Sequence, residues 1–503
     1  MRITPALTLK TPAWGLTGIA LLTAAGVGAA ITNTPKMILP VAAATGLLVV
    51  GSLGRKSVQV FFVILSVALI GYMFQGKGFA YLGFSPLYVG ELTLALGVAV
   101  LPFARLRWRF SGLELLICAF IVLGLLRTIP YLPQQGIFAL RDAALWYYAL
   151  FAIIVGQLAT RERIMRFVGL YARLTSPYVL WALAMSTLLW AVSNSLPHFP
   201  GSPLPIISPM KSGDRAIMLA GVAAFSLGGL TSNRSRVWRL PKPIFWSLWL
   251  LCAVIVALES RGAFLALAAA GLVTVLLQPS REWIRVGLIA VTAATLLLIS
   301  NPSINLGDDR VLSVEQFRAN VISIFSEESE DESLQGTKDW RLKLWSEIYE
   351  RVVEGPLFWT GSGFGANIPA EYGHSLNTDE GTVRSPHSVH LAILARMGVP
   401  GMLLWVSLLI TFVVRTIHAI HYARLSTDVY WRSVLVWLLA LSMAAIVNSS
   451  FETTLEGPQG AIPFWCCVGA TIAVIREQRD TKRASSAAIE LESGQWYAYS
   501  PGP

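Results

Sequence analysis

Residues 244–277 read IFWSLWLLCAVIVALESRGAFLALAAAGLVTVLL. Its only charged residues, Glu259 and Arg261, fall together in Glu259-Ser260-Arg261-Gly262, which interrupts the apolar run. A charge at the centre of a bilayer costs about 3 kcal/mol or more. Glu259 and Arg261 are therefore placed at a membrane boundary. The stretch reads as two antiparallel spans joined there by a tight turn.

Runs of this kind recur along the chain. Spans are predicted at 14–32, 37–53, 58–75, 87–103, 112–128, 142–158, 173–193, 215–231, 244–259, 262–277, 284–300, 388–414, 432–449 and 460–475. The expectation is an all-α polytopic membrane protein with about 14 transmembrane helices and one large extracytoplasmic loop. Composition agrees: 54% of the 503 residues are hydrophobic and 14% are charged, against about 25% charged in soluble domains. The net charge of +10 does not point to nucleic acid, because Lys and Arg form short clusters between apolar runs, as topology signals do. Cys118, Cys252, Cys466 and Cys467 all fall within apolar runs, which suits neither a disulfide framework nor a zinc site.

The clusters set an orientation. With the N-terminus in the cytoplasm, the inside loops hold Arg55 and Lys56, then Arg105, Arg107 and Arg109, and later Arg234, Arg236 and Arg239. The outside loops hold scattered cations such as Lys36, Lys77, Lys211, Arg215 and Arg261. Both termini are expected in the cytoplasm and 301–387 outside. The domain reading is then helices 1–11 in 1–300, the extracytoplasmic loop in 301–387, helices 12–14 in 388–476, and a disordered cytoplasmic tail in 477–503. Within the loop, Trp340, Leu344, Ile348 and Val352 recur at helical spacing between Asp339 and Val353, and Glu354-Gly355-Pro356 stops that helix.

Four residues gather on the outer side in this topology: Arg215, Arg261, Arg341 and His387. Arginines there oppose the topology bias. An anionic ligand gives one reason, since a guanidinium fork matches phosphate oxygens. The bland readings stand beside it: Arg215 and Arg261 as headgroup anchors, Arg341 as a solvated helix position, His387 as a structural histidine at a helix cap. No His-x-x-x-His pattern supports a metal site among His374, His387 and His390. The glycines of 361–365 are read as a structural turn before a phosphate cradle.

The order of motifs resembles the O-antigen ligase and polymerase family. The motifs are Glu259-Ser260-Arg261-Gly262-Ala263, then Arg341-Leu342-Lys343-Leu344-Trp345, Gly355-Pro356, Gly361-Ser362-Gly363-Phe364-Gly365, Ser385-Pro386-His387-Ser388-Val389-His390-Leu391 and Gly398-Val399-Pro400-Gly401. Ser388 stands where the family has Asn, and His390 where it has Tyr. The resemblance implies a GT-C-like membrane glycosyltransferase of the bacterial cytoplasmic (inner) membrane. Its donor would be a glycan on undecaprenyl diphosphate and its acceptor a hydroxyl on a glycan or a lipid A core sugar, with no cofactor and no metal. In that scheme Arg215, Arg261 and Arg341 bind the diphosphate and His387 is the catalytic base. The other expected partners are membrane lipids. A Wzy-type O-antigen or exopolysaccharide polymerase is the alternative within the class, and a transporter or flippase for lipid-linked sugars the alternative outside it.

Overall fold

The computed structural model describes residues 56–84, 87–104, 110–187, 195–196, 207, 210–231, 239–300, 304–305, 311–312, 332–378 and 381–498. The principal helices are α1 (Ser57–Gln75), α2 (Val89–Val100), α3 (Gly112–Thr128), α4 (Leu150–Leu158), α5 (Arg161–Ser186) and α6 (Ser212–Leu227). They continue with α7 (Lys242–Glu259), α8 (Arg261–Leu277), α9 (Glu282–Ser300), α10 (Glu332–Tyr349), α11 (Val389–Leu425), α12 (Val429–Asn448) and α13 (Pro458–Ala498). Among the described residues, strands form three two-residue antiparallel pairs, two of which, Ile304–Asn305 with Val311–Leu312 and Asn377–Thr378 with Gly381–Thr382, lie in the long loop.

The protein is a helical, multi-pass membrane protein, but the expected architecture of about 14 spans, GT-C-like by the resemblance, is corrected to six or seven spans. Among the described residues, six helices are long and apolar enough to cross a membrane, and a seventh arises if Ile137–Tyr147 and α4, bent by 43°, form one span. The six are α1, Gly112–Gln135, α7, α11, α12 and the Pro458–Lys482 part of α13. The expected spans 14–32 and 37–53 lie outside the described residues.

The excess has physical causes. Expected span 87–103 is α2, whose 12 residues reach about 18 Å at 1.5 Å per residue, short of the roughly 30 Å of hydrocarbon. Expected span 215–231 is α6, 16 residues long and buried on nearly every side. Its apolar character reflects protein neighbours all round. Expected span 173–193 overlaps α5, which starts at Arg161 and carries Glu162, Arg163, Arg166 and Arg173.

The turn read from 259–262 is present. Ser260 is extended (φ −153°, ψ 128°), ends α7 and caps α8 by accepting from the Ala263 N–H. α8 packs along α12, and α6 packs against both. The close approach needs small residues at one end. A Cβ on Gly213 would lie 2.5 Å from Asn448 Nδ2, and one on Gly262 would lie 3.2 Å from the Phe451 Cβ. At the opposite end, buried Glu114 accepts from Arg476 and from Gln157, both at 2.7 Å, joining α3, α4 and α13.

The loop helix α10 and the π-helical turn Glu350–Glu354 that continues it follow the predicted pattern: Leu344, Ile348 and Val352 are fully buried. They pack with Ile368, Tyr372, Leu394 and Ala395, so the loop shares a core with the start of α11. α11 kinks at Gly398 (φ 70°), and just beyond it the Val399 N–H donates to Phe358 O at 2.8 Å.

Candidate functional site

The segment after α12, Asn448 to Gly457, forms the floor on which the candidate residues converge. Asn448 is fully buried and its Nδ2 donates to Thr454 Oγ1 at 2.6 Å. Ser449 O accepts from the Val389 N–H at 2.9 Å, and Phe451 O accepts from Arg341 Nη1 at 3.1 Å. α6, α8, α10 and the start of α11 therefore all meet this short stretch.

His387 sits at the turn into α11 with φ 54°. This left-handed conformation is uncommon for a residue with a side chain, although histidine tolerates it better than most. Its N–H donates to Ser385 Oγ at 3.2 Å, and the Ser385 hydroxyl donates to Glu456 Oε1 at 2.6 Å. Trp345 Nε1 donates to Pro386 O at 2.8 Å, and Trp340 meets the imidazole edge-on with centroids 6.1 Å apart. Nδ1 is buried without a hydrogen-bond partner. Burial, reinforced by Arg341 and Lys211, pushes the imidazole down to about 4. At neutral pH the ring is uncharged and able to accept a proton.

His390, one turn on, is built differently. Trp405 Nε1 donates to its Nδ1 at 3.0 Å, and its Nε2 lies 3.2 Å from Ser450 Oγ. Since the indole N–H can only donate, neutral His390 carries its proton on Nε2 and gives it to Ser450. Both nitrogens are used in packing. Ser388, in the place of the family's Asn, caps α11 by accepting from the Leu391 N–H, a role either residue fills.

The three arginines do not share one environment. Arg341 is half-buried on α10, its Nε lacks a partner, and burial lowers its pKa against the opposing field of Glu452. Arg261 opens α8 and is half-buried, next to Gly262, which packs against Phe451. Arg215 is 4% exposed on the first turn of α6, ion-paired with Glu259 and donating to Ser186 Oγ. It ties α5, α6 and the end of α7 together beneath the turn that presents Arg261. The structure thus places His387 in electrostatic reach of both Arg341 and Lys211, while Arg215 is held apart by its ion pair with Glu259.

Sequence reasoning missed Glu456, Asn448 and Lys211. The available signal was the density of polar side chains in the short stretch Asn448-Ser449-Ser450-Phe451-Glu452-Thr453-Thr454-Leu455-Glu456 between two apolar helices. The glycine loop 361–365 is a packing turn. A Cβ on Gly363 would fall 2.0 Å from the Tyr131 ring, and the Gly365 N–H donates to Asp142 Oδ2 at 3.2 Å.

These features define a multi-pass membrane protein with a neutral histidine and a group of cations at one end of its bundle. An O-antigen ligase (Wzy_C) family domain is identified over residues 246–406. The matched stretch contains Arg261, Arg341 and His387 and leaves Arg215 outside. No curated protein matches the chain.

Proposed function

We propose that the chain transfers a glycan from undecaprenyl diphosphate to an acceptor hydroxyl, on a glycan or a lipid A core sugar, at the outer face of the bacterial cytoplasmic membrane. One observation carries this reading. A neutral imidazole with a partnerless Nδ1 stands in the field of Arg341 and Lys211, inside the stretch that matches the ligase model. His387 takes the proton of the acceptor hydroxyl. The acceptor oxygen bonds to the anomeric carbon as the bond to the diphosphate oxygen breaks, inverting that carbon. Undecaprenyl diphosphate leaves with its new charge held by Arg341 and Arg261. Arg215 backs them through its ion pair with Glu259.

The sidedness is part of the proposal: both termini cytoplasmic, loop 301–387 periplasmic. Leu342 is 50% exposed on α10, so Leu342→Cys in intact cells is expected to react with a membrane-impermeant maleimide. Protection until the membrane is opened reverses the orientation. The activity is tested with purified protein in liposomes carrying undecaprenyl-diphosphate-linked glycan. Release of undecaprenyl diphosphate that depends on acceptor and is lost in His387→Ala supports the reading. Equal release by wild type and His387→Ala refutes it, and movement of the intact donor across the bilayer favours a transporter.

A further inference from the structure

We propose that Glu456 is a positioning residue for His387, acting through the hydroxyl of Ser385. This rests on His387 being the general base. A catalytic imidazole is commonly oriented by a carboxylate or carbonyl on its second nitrogen, yet Nδ1 of His387 has no such partner. Its orientation rests on the Trp340 ring and on the main chain, and the main chain there is in the left-handed region, where it persists only if neighbouring contacts hold it.

Those contacts form a short chain of hydrogen bonds. A serine hydroxyl has one proton and two lone pairs. Ser385 gives the proton to Glu456 Oε1 at 2.6 Å. That turns a lone pair toward the His387 N–H, which donates at 3.2 Å. Pro386 between them restricts Ser385 to extended backbone, and its carbonyl is pinned by Trp345. The other end of the chain is equally fixed. Glu456 closes the 3-10 turn Thr454–Glu456, which Asn448 fastens through Thr454 and Leu455 anchors in the core.

Glu456 is otherwise surrounded by the charges of Arg396, Asp142 and Arg141, and burial pushes its carboxyl up to about 7. Ionised or protonated, it keeps an oxygen that accepts from Ser385. The contact therefore needs an acceptor oxygen at this place and does not need a negative charge, a requirement that glutamine meets and alanine does not.

The test uses the full-length protein and two readouts. The first needs no substrate: carbethoxylation of His387 by diethyl pyrocarbonate, followed by mass spectrometry, with exposed His418 and His421 as internal references. Glu456→Ala and Ser385→Ala are expected to raise the rate at His387 several-fold, with Glu456→Gln at the wild-type rate. The second is transfer from undecaprenyl-diphosphate-linked glycan. Glu456→Ala and Ser385→Ala are each expected to lower turnover by about tenfold to a hundredfold, as for a displaced catalytic group, with donor KM held within about twofold. The double variant is expected to match either single one, because both cut the same chain.

Three results overturn the inference: Glu456→Gln as impaired as Glu456→Ala, Ser385→Ala like wild type in both readouts, or losses that multiply in the double variant. If wild type transfers nothing from this donor, the functional reading fails, and the labelling rates still decide whether Glu456 holds His387.

Discussion

Arg396 of α11 faces a turn of the long loop, while Arg341 of the loop helix α10 faces the segment after α12. Arg396 is 3% exposed and lies 2.9 Å from Asp142, with the carbonyls of Gly363 and Ala366 at 3.4 and 3.3 Å. Arg384 shares the same carboxylate at 3.7 Å and donates to Gly365 O at 2.6 Å. There one carboxylate and the loop carbonyls hold both guanidiniums, and the loop is locked to the bundle. Arg341 has one backbone carbonyl, an unpartnered Nε and a histidine beside it whose Nδ1 is also unpartnered. The contrast shows how to read an arginine that opposes the topology bias. One that pairs with a carboxylate and loop carbonyls is explained by folding, and one beside a histidine with an unpartnered Nδ1 is where the proposed diphosphate would sit.

The sharpest way to break the contrast is His387→Ala. Loss of a general base is expected to lower turnover by about 10²–10⁴-fold, with the thermal midpoint close to wild type. Arg396→Ala is expected to do the reverse. It removes the nearer of the two guanidiniums on Asp142, leaving Arg384 at 3.7 Å, and costs about 1.5–3 kcal/mol of stability, read as a lowered unfolding temperature in detergent. Arg341→Lys keeps the charge and removes the fork. Transfer is expected to fall about tenfold to a hundredfold, the worth of one hydrogen bond to a charged group, at unchanged stability.

The smallest effect concerns pH. The pKa of His387 is depressed to about 4 by burial and by the charges that face it, Arg341 from α10 and Lys211 from the start of α6. The neutral base therefore persists well below the ordinary histidine value of about 6.5. kcat/KM is expected to hold between about pH 7 and 5.5 and to show its acid limb near 4. A limb near 6.5 contradicts the described environment. The sign for stability follows from the same depression: the folded state resists protonation, so this contribution is lost as pH falls from about 6.5 toward 4.

Parts of this were legible in the sequence and parts were not. The turn at Glu259–Gly262 was, because two charges in an apolar run leave few places to stand. The buried face of α10 was, because Leu344, Ile348 and Val352 repeat at helical spacing. The number of spans was not. α6 is apolar because protein surrounds it, and α2 is too short to cross; hydropathy distinguishes neither from a true span. Arg215, Arg261, Arg341 and His387 were singled out by type and position, which is all the sequence offers for them. The ion pair of Arg215 with Glu259 was not visible, nor was the link from Ser385 to Glu456, since each joins residues far apart in the chain through tertiary packing alone.

The most direct measurement is made in cells. A deletion strain is complemented with wild type or His387→Ala at matched membrane levels, and undecaprenyl-linked glycan is extracted alongside lipopolysaccharide and secreted polysaccharide. The predicted result is accumulation of the lipid-linked donor on the outer side in the His387→Ala strain, as finished polymer for a ligase or as single repeat units for a polymerase. Glycans indistinguishable from wild type in that strain contradict the assignment of His387 and the transfer mechanism built on it.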